Sequence, residues 1–426
     1  MKETGKFGFW SIVLLGINGI VGTGIFLLPN KAYSIIGSAS LGVLLFDAII
    51  AGCIALCFAE AASLFTRNGG PYLYAKHALG DFWAFEVGVL KWIVTVIAWA
   101  AMAVGFATAL GAAVPALSGD FAKDVISFIL IVGLTVVNIF GVNVSKFVNN
   151  LITISKLVPL TLFIAIGIFF INGANFTPVF PQDTYVDGSF AYTGFEVIAI
   201  AAEDMKNPKK NLPRAIIMCM LLVSVLYMAI LAVSIGVLGT DLANTKAPVQ
   251  DAFNVIVGPI GMYIVLIGTL ISMGGINFAE AYYAPRVATS MAEDGMLPSA
   301  LAKRNRYNAP YVAAIVTAIA SVLLAWSGSF TTLAAISAVS RFTQYLPTCL
   351  AVIIFRRKWA DKARSYTIPG GYLIPVIAIG TSLWMLAQAQ TNQLLWGLGG
   401  CIVILPFYYS YWKKKKAGLI KGHDEM

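Results

Sequence analysis

Long apolar runs, each the length of a membrane-crossing helix, follow one another along almost the whole sequence. A transmembrane helix needs about 20 mainly apolar residues, whereas β-barrel strands alternate apolar and polar residues over about ten positions. The chain has 426 residues, of which 59 % are hydrophobic and 12 % are charged, and a soluble protein could not cover that much apolar surface. The sequence therefore predicts an all-α, polytopic membrane protein.

The apolar runs predict twelve transmembrane helices. They cover approximately residues 7–33, 39–65, 82–113, 124–143, 148–171, 189–203, 213–239, 257–284, 311–327, 330–355, 370–388 and 393–412. An even number places both termini on one side, and cytoplasmic termini would put nearly all lysines and arginines inside, as the positive-inside rule requires. The outer segments then hold only Lys31, Lys123 and Lys246. This asymmetry explains the net charge of +9 without a nucleic-acid partner, and it predicts a plasma-membrane protein with both termini in the cytoplasm.

Four glycines crowd the centre of the first span, at Gly16, Gly19, Gly22 and Gly24, and Thr23 stands between the last two. Each glycine costs a helix interior about 1 kcal/mol relative to alanine, so a helix that only spans lipid would not collect four. Unwound backbone at membrane depth is tolerated where it faces protein or a watery cavity. The stretch therefore predicts a discontinuous helix whose free N–H and C=O groups can bind a small charged ligand. The alternative is close helix packing through small residues.

A second interrupted segment covers residues 189–204. It is too short to span the membrane comfortably as one straight helix, and it contains a Thr193-Gly194 break and the acid Glu196. Short, glycine-interrupted segments at matching positions of two halves indicate a transporter site.

The two interrupted segments are five spans apart. This spacing predicts two inverted five-helix repeats, with the first and sixth helices broken and two further helices behind them. The parts form a single membrane domain, 1–426, whose repeats cover approximately 7–171 and 189–355 and whose last two helices cover approximately 370–412.

Lys156 lies well inside the fifth span. A charged side chain at that depth costs about 2.5–3.5 kcal/mol on insertion scales. A buried amine that gains and loses a proton is a candidate coupling group for transport. The alternatives are a permanently paired lysine and a lysine that reaches the inner interface.

Sequence signatures of enzymes are missing. The two histidines are His77 and His423, and no nucleotide-binding loop, metal-binding set or Ser-His-Asp arrangement can be assembled from the sequence. We therefore expect neither an enzyme nor a metal or cofactor site. A secondary transporter is favoured over a channel, because no run resembles a selectivity filter.

Three parts of the sequence resemble one known family. Residues 16–29 (GINGIVGTGIFLLP) are similar to the first-helix signature of the amino acid–polyamine–organocation (APC) superfamily. Residues 191–196 (AYTGFE) and 203–214 (EDMKNPKKNLPR) resemble its sixth helix and the loop that follows. Residues 285–286 with 294–298 resemble the stretch after its eighth helix. In this respect the chain is similar to a bacterial-type amino acid permease.

This resemblance implies the LeuT-like inverted-repeat fold and an amino-acid substrate, moved by alternating access with proton symport or amino-acid exchange. The substrate carboxylate is expected around Val21–Gly24, and the amine near the carbonyls of Ile17–Ile20 and the break at Ala191–Gly194. The implied substrate-binding residues are Ile17, Ile20, Val21, Gly22, Thr23, Gly24, Ala191, Tyr192, Thr193 and Gly194. Lys156 stands where sodium-coupled relatives of the fold hold a cation, so no sodium requirement is expected.

Two further residues are candidates for substrate selection. Glu196 would tune side-chain choice or pair with another helix, and Asn277 is one of the polar residues that the eighth span is expected to turn inward. The alternatives are a polyamine or organic-cation carrier, in which Glu196 would bind the extra amine, and a transporter-like substrate sensor. No partner subunit is indicated. Only residues 188–190 separate the outer loop from Ala191, where the family has a longer helix, so either this half-helix is very short or part of the natural chain is absent.

Overall fold

The computed structural model describes residues 6–22, 24–179, 197–200, 202–245, 247–327, 330–387, 405–406 and 408–417. Within these ranges the chain forms helices and no β-strand, apart from one isolated bridge between Phe7 and Met205. The prediction of an all-α protein is confirmed for this part of the chain. The α-helices are α1 (Phe9–Ile20), α2 (Gly24–Ile36), α3 (Ser40–Ala62), α4 (Pro71–Leu79), α5 (Asp81–Ala113), α6 (Asp120–Ile139), α7 (Val142–Gly167), α8 (Val197–Ile200), α9 (Pro208–Leu238), α10 (Pro248–Val257), α11 (Pro259–Glu293), α12 (Tyr311–Ser327), α13 (Phe330–Lys358) and α14 (Leu373–Ala387).

Several of these helices can cross a membrane. Among the described residues, six stretches are long and apolar enough to do so, namely Leu28–Ala62, Asp81–Gly111, Asp120–Ile139, Val142–Phe170, Pro208–Ala243 and Pro259–Glu293. Large apolar side chains point outward from them, for example Phe121 (82 % exposed), Phe147 (67 %) and Val225 (69 %), an arrangement that suits lipid rather than water. The chain is a polytopic membrane protein. The count of twelve helices, the inverted repeat and the single-domain organisation stay predictions, since residues 180–196 and 388–404 lie outside the described ranges.

The start of α9 differs from the prediction. The seventh span was expected to begin at Pro213, but α9 begins at Pro208, directly after Asn207 in the left-handed region (φ 44°). Proline at the first helical position needs no N–H partner. Pro213 is accommodated inside the helix because the carbonyl of Lys209, which it cannot bond, accepts a hydrogen bond from the hydroxyl of Ser365.

α11 lies at the centre of the bundle and packs against α1, α5, α6, α7, α10 and α12. Two glycines allow this close approach. A Cβ on Gly268 would lie 2.4 Å from Cγ of Pro159, and a Cβ on Gly275 would lie 2.4 Å from Oδ1 of Asn18. Because α7 and α9 also pack against α1, the end of α1 is enclosed inside the bundle.

Candidate functional site

The first membrane helix is interrupted within the bundle. α1 ends at Ile20, where Val21 turns to an extended conformation (φ −76°, ψ 94°), and α2 begins at Gly24. The N–H of Val21 donates to the carbonyl of Ile17 at 2.8 Å, and this is the last hydrogen bond of α1. The interruption falls where the glycines predicted it. Thr23 lies outside the described residues.

The side chain of Lys156 fills the carbonyl side of this interruption. Lys156 is fully buried on α7, and its Nζ donates to the carbonyl of Asn18 at 3.0 Å and to the carbonyl of Val21 at 2.6 Å. The last carbonyls of a helix have no partner within the helix and carry its negative partial charge. An ammonium group therefore satisfies both the hydrogen-bonding and the charge requirement. The alternative in which Lys156 reaches the membrane interface is wrong.

Two hydroxyl groups form hydrogen bonds with carbonyls at the same end of α1. Oγ of Ser272, on α11, lies 3.0 Å from the carbonyl oxygen of Val21 and 3.3 Å from that of Gly22. The hydroxyl of Tyr227, on α9, donates to the carbonyl of Ile20 at 3.1 Å. Three helices thus each contribute a donor to the unwound end of α1.

Asn18 fixes the position of this end relative to α7 and α11. Its Nδ2 donates to Oδ1 of Asn149 at 3.0 Å and to the carbonyl of Gly275 at 2.9 Å. Since Asn18 is fully buried, these bonds hold the helices at a defined register. The sequence reasoning did not select Asn18, Tyr227 or Ser272 as site residues. The available signal was that each is a polar residue inside an apolar span.

The two sides of the interruption differ in the space around them. A Cβ on Gly22 would lie 2.1 Å from Cδ1 of Ile276, so this glycine is packed tightly against α11. Gly24 is exposed, and a Cβ on it would meet nothing within 4 Å. Within the described part of the chain, nothing packs on Gly24 at the N-terminus of α2, whereas the carbonyls of Asn18, Ile20 and Val21 are already bonded to the protein.

The other predicted site residues are placed as follows. Ile17 and Ile20 are buried at the end of α1. Asn277 is buried on α11, and its Nδ2 donates to the carbonyl of Met273 on the same helix at 2.9 Å. Its role in selecting substrate stays a prediction. Ala191, Tyr192, Thr193, Gly194 and Glu196, and the short stretch before Ala191, lie outside the described residues.

A group of charged residues lies near the beginning of the chain, between the segment before α9 and α11. Nε of Arg286 lies 2.6 Å from Oδ2 of Asp204, and the hydroxyl of Tyr282 donates to the same oxygen at 2.8 Å. The backbone N–H of Phe7 donates to the carbonyl of Asp204 at 2.8 Å. This pair therefore connects the segment before α9 with both α11 and the beginning of the chain.

A second set of ion pairs lies around the C-terminal end of α11. The carboxylate of Asp294 binds Lys76 Nζ at 2.8 Å, Arg67 at 3.3 Å and the Tyr72 hydroxyl at 2.6 Å. Nη2 of Arg304 bridges two acids, Glu203 at 3.1 Å and Glu293 at 2.8 Å. We call the whole set the basal ion-pair cluster: Arg67, Tyr72, Lys76, Glu203, Asp204, Tyr282, Arg286, Glu293, Asp294 and Arg304.

Comparison with known proteins relates this arrangement to a family. Residues 7–407 match the amino acid permease family. An uncharacterized transporter of Mycobacterium tuberculosis is 32 % identical over 95 % of this chain and 91 % of its own length. The branched-chain amino acid permease BcaP of Bacillus subtilis is 28 % identical over 96 % of this chain and 93 % of its own. The serine/threonine exchanger SteT of the same species is 27 % identical over 97 % of this chain and 98 % of its own.

These relatives are permeases and transporters rather than enzymes. The family match includes the interrupted first helix, Lys156 and the basal ion-pair cluster. It confirms the resemblance that the three sequence stretches indicated. The chain is a member of the amino acid permease family, within the APC superfamily.

Proposed function

We propose that this protein carries amino acids across the plasma membrane as a secondary transporter working by alternating access, with both termini in the cytoplasm. The family, and the names of a branched-chain amino acid permease and a serine/threonine exchanger among its relatives, support an amino-acid substrate. One observation carries the proposal. Lys156 fills the carbonyl side of the interruption between α1 and α2, while Gly24 on the N–H side is exposed and no other described residue packs on it.

The substrate carboxylate binds at the N-terminus of α2. The N–H of Val21 is already used within α1, which leaves the backbone of Gly22, Thr23 and Gly24 to supply donors. The positive end of the α2 dipole favours an anion there. The hydroxyl of Thr23 adds a further donor.

The substrate amine binds on the opposite side. The carbonyls of Ile17 and Ile20 each accept one hydrogen bond from the protein, so each offers the amine only its second lone pair. The predicted second break, Ala191–Gly194, supplies the remaining acceptors. Glu196 and Asn277 are the candidates for recognition of the substrate side chain.

Lys156 takes the place of a transported cation. Its ammonium group already binds the carbonyls of Asn18 and Val21 that a sodium ion would need, which supports sodium-independent transport. A lysine that keeps its proton throughout the cycle corresponds to amino-acid exchange. A lysine that releases its proton in one state corresponds to proton symport.

The basal ion-pair cluster acts as the inner closure in this cycle. Alternating access requires that one end of the bundle opens while the other is shut. The contacts of Asp204 with Arg286 and of Asp294 with Lys76 would have to separate before substrate could leave toward the cytoplasm.

Uptake by purified protein in proteoliposomes tests the proposal. Radiolabelled leucine, serine and threonine are offered under an inward proton gradient, or against internal unlabelled amino acid, and radiolabelled putrescine is offered in parallel. Accumulation driven by protons indicates symport, and uptake only against internal amino acid indicates exchange. Uptake of putrescine without amino-acid uptake would replace the proposal with a polyamine carrier. Amino-acid binding without uptake would replace it with a substrate sensor.

A further inference from the structure

An apolar groove runs along the outside of the bundle between α6 and α12. Its volume is about 490 Å³, which lies within the range of small-molecule binding sites. The walls are mostly half-exposed apolar side chains, among them Val136 (46 % exposed) on α6 and Ile319 (56 %) on α12. Ala318, a small residue, lies at its floor.

The polar side chains in the walls of the groove are hydrogen-bonded within the protein. The two polar side chains among the lining residues are Thr135 and Trp326. The hydroxyl of Thr135 donates to the carbonyl of Ile131 at 2.7 Å, and Nε1 of Trp326 donates to the carbonyl of Asp124 at 3.3 Å. An apolar cavity without unsatisfied polar groups favours a hydrocarbon occupant.

The two ends of the groove differ. At one end, the rings of Phe128 and Trp326, both about half exposed, stack with their centroids 6.1 Å apart. The other end reaches Ile139, the last residue of α6. From Phe128 to Ile139 the helix rises about 16 Å. This length is close to half of the bilayer's hydrocarbon thickness of about 30 Å, the depth that the acyl chains of one leaflet occupy.

A cation is held in place near the Ile139 end of the groove. Nδ2 of Asn305 donates to the carbonyl of Ile139 at 2.7 Å, which fastens the loop to the groove. Tyr307 packs on Phe140, with ring centroids 5.9 Å apart. The guanidinium group of Arg306 lies 4.7 Å from the centroid of the Tyr307 ring, and its Nη2 lies 2.7 Å from the tyrosine hydroxyl. An exposed cation is thus held against Tyr307, whose ring packs on Phe140, the residue that follows the end of the apolar wall.

We propose that this groove binds one phospholipid with an anionic headgroup, taken from the leaflet that faces the 303–310 loop. An acyl chain lies between α6 and α12, with its distal part against Trp326. The phosphate group lies beside Arg306. The match in length fits one acyl chain of a leaflet, and charge complementarity at the Ile139 end distinguishes this occupant from a zwitterionic lipid.

Fluorescence quenching by brominated lipid tests the proposal. The full-length protein is reconstituted in phosphatidylcholine with increasing fractions of phosphatidylglycerol brominated in the distal half of its acyl chains. The Trp326 contribution is the difference between the native protein and W326F. The Trp384 contribution, from W384F, is the matched control, because Trp384 is similarly exposed (49 % against 51 %) but lies on α14, outside the groove.

We expect the Trp326 contribution to saturate at a low fraction of phosphatidylglycerol, whereas the Trp384 contribution follows the bulk fraction. R306Q should raise the half-saturating fraction about fivefold, as expected for the loss of one positioned cation. K303Q, which removes the same charge from the same loop, should have a smaller effect. A Trp326 contribution that follows the bulk fraction in the native protein overturns the proposal. Equal shifts in R306Q and K303Q, or no quenching of Trp326 because a protein helix covers it, also overturn the proposal.

Discussion

The ammonium nitrogen of Lys156 lies 2.6 Å from the carbonyl oxygen of Val21, the residue at which the first membrane helix ends. Both residues are fully buried, so the contact joins a positive charge to the negative end of a helix in surroundings that screen it little. A transported metal ion at this position would need the same carbonyl oxygen. The proposed sodium-independent mechanism follows from this competition.

Removal of the Ser272 hydroxyl is expected to destabilise the unwound backbone between α1 and α2 without disrupting it completely. In S272A the carbonyl of Gly22 loses a donor, while Lys156 still binds the carbonyl of Val21. We expect a loss of about 1 kcal/mol in stability and an apparent substrate affinity about fivefold weaker. Thermal unfolding in detergent and the KM of uptake measure the two effects. S234A is the control, because the buried Ser234 hydroxyl donates only to its own helix, at Ile230; an equal rise in KM in both variants would contradict the prediction.

A methyl group on Gly275 is expected to separate α11 from α1. The new Cβ in G275A would lie 2.4 Å from Oδ1 of Asn18 and 2.8 Å from Cγ2 of Ile152, so the helices must move apart. Such overpacking costs about 1–3 kcal/mol. We expect a lower unfolding temperature and loss of uptake.

The adjacent glycine provides the matched control for this change. A Cβ on Gly274 would meet nothing within 4 Å, so G274A should leave stability unchanged or raise it slightly through helix propensity. Similar losses in G274A and G275A would mean that glycine content, rather than the contact with Asn18, matters here.

The pair formed by Asp204 and Arg286 is expected to be the strongest contact in the basal ion-pair cluster. Both side chains are at most 5 % exposed, and D204N leaves the charge of Arg286 buried without its counter-ion. Loss of one partner from a buried pair costs about 3–5 kcal/mol. Thermal unfolding should therefore occur at a clearly lower temperature. K123Q is the comparison, because Lys123 pairs with the fully exposed Asp120 and should show no measurable change; equal behaviour of the two variants would contradict the assignment.

The sequence predicted the interruption and the depth of Lys156, because both depend on local properties. The helix breaks between Ile20 and Gly24, in the last part of the glycine-rich stretch, while Gly16 and Gly19 lie within α1. The hydropathy around Lys156 places it in the membrane. The contact between them was not predictable. Lys156 and Val21 are 135 residues apart, and their meeting depends on how α7 is rotated and shifted against α1.

The same limit applies to the basal ion-pair cluster. The sequence indicated acidic and basic residues in the loops. It did not indicate that Asp294 would bind Arg67, which precedes α4, and Lys76, which lies on α4, both more than 200 residues earlier. Loop partners depend on the arrangement of the helices that the loops join. The predicted start of α9 at Pro213 was wrong for a related reason. The carbonyl that this proline leaves free accepts a hydrogen bond from the hydroxyl of Ser365, which is distant in the sequence.

Uptake driven by different gradients, with Lys156 present or removed, is the most direct test of the proposal that Lys156 takes the place of a transported cation. Proteoliposomes containing native protein, K156A or K146A are compared with and without sodium, under a proton gradient and with internal unlabelled amino acid. Lys146 lies on the same helix as Lys156, but the one hydrogen bond of its Nζ among the described residues is to the carbonyl of Lys6, at 3.5 Å. K146A therefore controls for the loss of a lysine from α7. All three proteins must elute as single species before they are compared.

We predict that native uptake and K146A uptake are the same with and without sodium. K156A should lose uptake by about tenfold or more, the effect of losing charged hydrogen bonds to two buried carbonyls. A requirement for sodium in the native protein, or uptake by K156A equal to that of the native protein, would contradict the proposed role of Lys156.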